Sequence, residues 1–95
     1  MNAYEVTYII ASSLSDDEIR AIMDKYAELI KNHDGEVVKI DTLGKKRLAY
    51  EINGHFEGFY VCMNYKATPA TTDETKRLMG LDEKIVRSLF IRLDK

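Results

Sequence analysis

The sequence contains one cysteine, one proline and no long apolar run. The lone thiol, Cys62, has no partner for an internal disulfide and no companion cysteines for a metal site, which fits a reducing cytoplasm. No stretch approaches the ~20 consecutive apolar residues of a membrane-spanning helix, so no membrane role is expected. Met1-Asn2-Ala3-Tyr4-Glu5 puts no basic residue ahead of the first apolar stretch, so no secretory signal is expected either. A basic excess is also missing. Fourteen basic against sixteen acidic side chains give a net charge of −2. A nucleic-acid role would therefore rest on a local patch or on a helper, not on overall charge.

What remains is an ordinary globular composition. With 45% hydrophobic and 32% charged residues, the chain is neither a disordered tail nor a fibre. Its 95 residues suffice for one core, so residues 1–95 are expected to form a single domain without linkers or repeats.

Hydrophobic period divides the chain into six elements. Ala3 to Ala11 alternates as a strand, with Tyr4, Val6, Tyr8 and Ile10 on one face and Glu5, Thr7 and Ile9 on the other. Ser15-Asp16-Asp17-Glu18 has the spacing of a capping box, and its acids suit the positive end of a helix dipole. Ile19, Ile22, Met23, Tyr26, Leu29 and Ile30 continue an apolar helix face to about Asn32. His33-Asp34-Gly35 ends it, with Gly35 suited to a left-handed cap.

Glu36 to Asp41 reads as a second strand, followed by a turn around Leu43-Gly44 and a resumed alternation from Arg47 to Ile52. Asn53-Gly54 signals a tight hairpin; a longer loop reaching Gly58 is the alternative. Phe59 to Ala67 alternates cleanly, with Phe59, Val61, Met63, Tyr65 and Ala67 on one side, and Pro69 ends it. Thr71-Thr72-Asp73-Glu74 offers a second capping box, for a helix through Leu78-Met79 closing at Gly80. Ile85 to Leu93 is the last strand. Leu89, Ile91 and Leu93 share one face and Val86 and Phe90 the other, so its facing is ambiguous.

Strand, helix, strand, strand, helix, strand is the order of the α+β ferredoxin-like β-α-β-β-α-β sandwich. It implies a four-stranded antiparallel sheet with two helices on one face. The other face stays open and carries Thr7, Ile9, Tyr60 and Cys62.

Catalytic chemistry is sparse. There is no phosphate-cradling glycine loop, no zinc spacing and no nucleophile–base pairing with a third member, so no enzyme, metal, cofactor or small-molecule substrate is expected. His33 reads as a helix-end cap, His55 as loop filler and Cys62 as a small hydrophobe. A hydrolase of this fold would need a buried anion-binding arginine beside a glycine-rich loop, and the chain has no such arrangement.

One cationic cluster stands out: Lys45, Lys46 and Arg47, directly after Gly44, with a looser set in Lys84, Arg87 and Arg92. Such cations bind phosphates through counterion release, or merely keep a strand edge from pairing with other chains. Tyr60 on the open face suits stacking on an unpaired base. Glu57-Gly58-Phe59-Tyr60-Val61 echoes the aromatic motif of RNA-recognition domains only in broken form, and reads as a strand pattern.

Gly44-Lys45-Lys46-Arg47-Leu48-Ala49-Tyr50-Glu51-Ile52 resembles the signature of the bacterial small-subunit ribosomal protein six family. Tyr4-Glu5-Val6, Gly58-Phe59-Tyr60 and the basic last strand agree with it over nearly the whole chain. The resemblance implies a ferredoxin-like, non-catalytic structural component of the small ribosomal subunit in the cytoplasm. It further implies binding to the central domain of small-subunit ribosomal RNA together with ribosomal protein eighteen, a basic partner that would be the helper. Carried over by position, it points to Lys46 and Arg47 as first RNA contacts, with Lys45 at a variable site and Arg87 and Arg92 at basic positions of the last strand. Asn2 and Ala3 stand where some members have arginines, and the long acidic tail of others is not expected after Lys95. The surface for the partner is either the edge strand Glu36 to Asp41 or the open sheet face. The alternative function is a stand-alone ligand-binding or regulatory domain that dimerises through that face.

Overall fold

A computed structural model describes residues 1–94. It contains β1 (Asn2–Ala11), α1 (Asp16–Asn32), β2 (Glu36–Ile52), β3 (His55–Ala67), α2 (Pro69–Leu81) and β4 (Ile85–Arg92). All pairings are antiparallel, in the order β2-β3-β1-β4. The ferredoxin-like sandwich expected from the alternation of periods is therefore the fold. Tyr4, Val6, Tyr8 and Ile10 of β1 and Val61, Met63, Tyr65 and Ala67 of β3 meet Ile19, Ile22, Tyr26, Ala27 and Ile30 of α1 and Met79 of α2 in one core.

The first capping box forms as its spacing predicts. The Glu18 amide donates to Ser15 Oγ at 3.2 Å and the Glu18 carboxylate accepts from the Ser15 amide at 3.3 Å. These bonds satisfy donors that the first helical turn cannot pair internally. At the other end of α1, Asp34 takes the left-handed conformation (φ 63°), not Gly35. Gly35 is needed for space: a Cβ there would lie 2.6 Å from Ile30 Cγ2 and 2.9 Å from the Lys66 carbonyl. His33 caps the helix, its Nδ1 2.9 Å from the Leu29 carbonyl.

Leu43-Gly44 is not a turn. β2 continues through it, and Gly44 (φ 87°) sits at a register shift against β3 between Thr42 and Gly44. Such a bulge bends a strand without ending it, and glycine adopts the required backbone at no steric cost. Asn53 (φ 49°) and Gly54 (φ 83°) form the tight two-residue hairpin, with Ile52 opposite His55. The longer-loop alternative fails at Gly58, which is buried inside β3, where a Cβ would overlap Ile9 Cγ2.

The second helix begins earlier than its Thr71 box suggests. Thr68 is the N-cap, accepting from the Thr71 amide at 3.3 Å, and Pro69 is the first helical residue. Proline's fixed φ suits that position and its missing N–H costs nothing there. The shift carries Thr71, Thr72 and Thr75 inward. The hydroxyls of Thr72 and Tyr65 lie 3.0 Å apart, and Thr75 donates to the Thr71 carbonyl at 2.8 Å. Gly80 lies within α2, which ends at Leu81 with Asp82 as C-cap. Asp82 also holds α1: the Tyr26 hydroxyl donates to it at 2.7 Å and the Lys84 amide at 3.0 Å, with Lys25 Nζ at 3.4 Å. Burial would raise its pKa, but these donors and the Lys25 charge together hold the carboxyl below its ordinary value.

A register shift where β4 passes Ile9 and Ile10 resolves the ambiguous last strand. Ile85 pairs with Ile10 and joins the helix-side core, while Val86 packs with Ile9, Ala11 and Leu48 on the opposite side. Val86 and Phe90 therefore do not share a face: Phe90, opposite Val6, packs against the main core.

Candidate nucleic-acid interface

The sheet face away from the helices is built by the alternate residues of the same strands. Glu5, Thr7 and Ile9 of β1 pair with Asn64, Cys62 and Tyr60 of β3 and with Ile91, Leu89 and Arg87 of β4. At one end this face is not open. The β2–β3 hairpin brings Leu48 onto Ile9, Ala11 and Val86, with Ile52 and Tyr60 packed alongside, in a second small core. Beyond it lies a depression of about 260 Å³ lined by Thr7, Ile9, Tyr60, Arg87, Ser88 and Leu89. Leu89 is 60% and Ile91 43% exposed, so this surface is more apolar than solvent contact requires. Cys62 lies on it half-buried, its thiol pKa raised chiefly by burial.

Strand alternation separates the signature cations. Lys46 stands opposite Gly58 and reaches over the Tyr60 ring, with Nζ 5.8 Å from the centroid, a cation–π arrangement on the open side. Lys45 and Arg47 stand opposite Phe59 and Glu57, on the other side of β2. Arg87 stands opposite Ile9 on the open side, and its Nη1 donates to the Tyr50 hydroxyl at 2.7 Å. The structure therefore brings Lys46 and Arg87 to the same face and the same end. They are three strand spacings apart, about 14–15 Å between backbones.

Arg92 does not join them. It pairs with Tyr4, putting it on the helix side at the opposite end of β4, where Nη2 donates to Asn2 Oδ1 at 3.1 Å and Nε to Asp94 at 3.3 Å. Lys45, Lys46, Arg47, Lys84 and Arg87 make no ion pair among the described residues, whereas Arg92 is held by Asp94. An unpaired cation meets an incoming anion without first releasing a carboxylate. Lys84 belongs to this end of the molecule, since its carbonyl accepts from the Ala11 amide. Tyr50 belongs here too, 62% exposed with its hydroxyl anchored on Arg87. Sequence reasoning did not bring that hydroxyl to Arg87, because the two residues are 37 positions apart and meet only when the hairpin folds over.

Comparison with known proteins agrees with this architecture. A family model described as ribosomal protein S6 matches residues 3–92. Small ribosomal subunit protein bS6 of Desulfitobacterium hafniense is 44% identical over 89 residues, covering 94% of this chain and 94% of its own. Its counterpart in Carboxydothermus hydrogenoformans is 41% identical over 95 residues, covering 100% and 99%. Among solved structures, the crystal structure of 30S ribosomal protein S6 from Thermotoga maritima superposes with a TM-score of 0.90. That likeness covers 96% of this chain and 86% of that one, at 23% identity, and is a likeness of fold. These relatives are structural proteins of the ribosome and not enzymes. A family model spanning nearly the whole chain, relatives above 40% identity and a shared topology together establish that the chain belongs to the ribosomal protein S6 family.

Proposed function

We propose that this protein, acting as one domain, helps to build the small ribosomal subunit in the cytoplasm by binding the central domain of its RNA together with ribosomal protein eighteen. The observation that carries this reading is the division of labour on its surface. Cations without carboxylate partners among the described residues gather at the end bearing Lys46, Lys84 and Arg87, next to an apolar sheet face exposing Leu89 and Ile91. The cationic end takes phosphates, and the apolar face takes the protein partner, whose own charge offsets this chain's net −2. The edge of β2 is the weaker candidate for the partner, because its outer residues include Lys39 and Asp41, an exposed ion pair.

Lys46 and Arg47 are the first phosphate contacts, and Lys45 and Arg87 extend the set. Arg92, already engaged by Asp94, contributes least. Replacing Lys46 and Arg47 by glutamine should weaken binding of the protein pair to central-domain RNA evenly across base sequence. It should also lower the slope of log K against log salt by about one for each phosphate left without its cation. A filter-binding titration with the partner present checks this, and an unchanged slope would remove these two residues from the interface.

A further inference from the structure

We propose that Tyr50 and Arg87 form a bipartite site for one unpaired nucleotide, the Tyr50 ring stacking the base and the Arg87 guanidinium taking its phosphate. The inference rests on the RNA-binding reading above and deepens it. Tyr50 is unusual among the tyrosines: the residue is 62% exposed, yet its hydroxyl is fixed by a 2.7 Å hydrogen bond. Tyr8, Tyr26 and Tyr65, by contrast, are sealed in the core. A ring that is both exposed and anchored presents a flat face whose position is already set, so ordering it costs a ligand little. The anchor is a guanidinium that makes no ion pair among the described residues and uses only Nη1 within the protein, leaving Nε and Nη2 for a phosphate.

The surroundings favour a nucleic acid over a protein segment. Lys46 and Lys84 flank the same end without carboxylate partners among the described residues, and Lys46 lies over the Tyr60 ring, a second aromatic–cation pair on that face. Aromatic faces beside unpaired cations suit bases and phosphates of a single strand, whose bases are free to stack; in a duplex they are not.

The test uses the full chain with its partner, titrated with central-domain RNA. Tyr50→Leu should weaken binding about 5- to 150-fold, the range expected when one base–aromatic stack is removed, whereas Tyr50→Phe, which keeps the ring, should lose less than about fivefold. Neither change should alter the salt slope, while Arg87→Gln should lower it by about one. Because the chain has no tryptophan, Tyr50→Trp adds a single reporter whose emission should be quenched by a single-stranded RNA hexamer and not by the matching duplex. Equal binding by the Leu and Phe variants, or no quenching by the hexamer, would overturn the site. So would weaker pairing of the two proteins by Tyr50→Leu in the absence of RNA, which would assign the ring to the protein partner. Failure of the unaltered pair to bind RNA at all would instead remove the underlying reading.

Discussion

Along β1, Val6, Tyr8 and Ile10 are sealed beneath the helices, while Glu5 and Thr7, one residue away in each case, lie on the side that the helices leave bare. The two faces of this sheet come from the same strands and differ in what covers them. On the covered face, aromatic and aliphatic groups interlock from all sides, with Tyr4 stacked on Tyr65 at 5.5 Å between centroids. On the other face only the hairpin end is covered, by Leu48, and Leu89 and Ile91 remain in solvent. Apolar groups contribute to folding in proportion to the area they remove from water, so the covered face supplies the stability. The open face is left available for binding.

That contrast can be broken by mutation. The largest expected effect is on the covered side: Met63→Ala, at a fully buried site, should cost about 2–5 kcal/mol in urea unfolding. Leu89→Ala on the open side should stay within ~0.5 kcal/mol while weakening association with the proposed protein partner. Equal losses at the two positions would mean that the open face is a second stabilising surface.

A smaller effect is expected where the faces meet the hairpin. Gly58→Ala forces a Cβ against Ile9, itself wedged by Leu48 and Val86, and should cost about 1–3 kcal/mol in the same assay. No loss would show that the hairpin end is loosely packed.

The smallest loss expected on the covered side sharpens the comparison through pH. Asp82 ties α1 to the α2–β4 junction, and its folded pKa lies below the unfolded value of about 3.9. Its contribution is therefore complete above the unfolded pKa and is lost as pH falls through the folded one. Asp82→Asn should cost on the order of 1 kcal/mol at neutral pH and give a shallower loss of stability in acid, read by thermal melts across pH. An unchanged acid limb would show that other carboxylates govern it.

Much of this was legible from neighbouring residues. The alternation of β1 and β3, the Ser15–Glu18 box and the Asn53-Gly54 hairpin depend on groups within a turn or a pleat of one another. The misreadings arose where a local signal was outweighed by longer-range pairing. Leu43-Gly44 has turn chemistry, but continued pairing with β3 turned it into a bulge. Thr71 to Glu74 has cap chemistry, but Pro69 and Thr68 started the helix sooner. Val86 and Phe90 share a strand parity, but the register shift beside Ile9 put them on opposite faces.

The candidate site divides in the same way. Lys45, Lys46 and Arg47 are visible as a charge cluster, and strand alternation sends Lys46 to one side and its neighbours to the other. Alternation along β4 also puts Arg87 and Arg92, five positions apart, on opposite faces, but the order of residues does not say which of them meets Tyr50 and which Asp94. Tertiary structure decides it, leaving Arg87 on the open face against Tyr50 and tying Arg92 to Asp94 on the helix side.

Period, caps and turns specified the sandwich because each acts over a few bonds, and the nine-residue signature named the family by the same short reach. Which cations stay unpaired, which aromatic ring remains exposed and where the hairpin closes were settled only on folding. Those features depend on contacts between residues far apart in the chain, brought together by sheet register and the bend at Gly44.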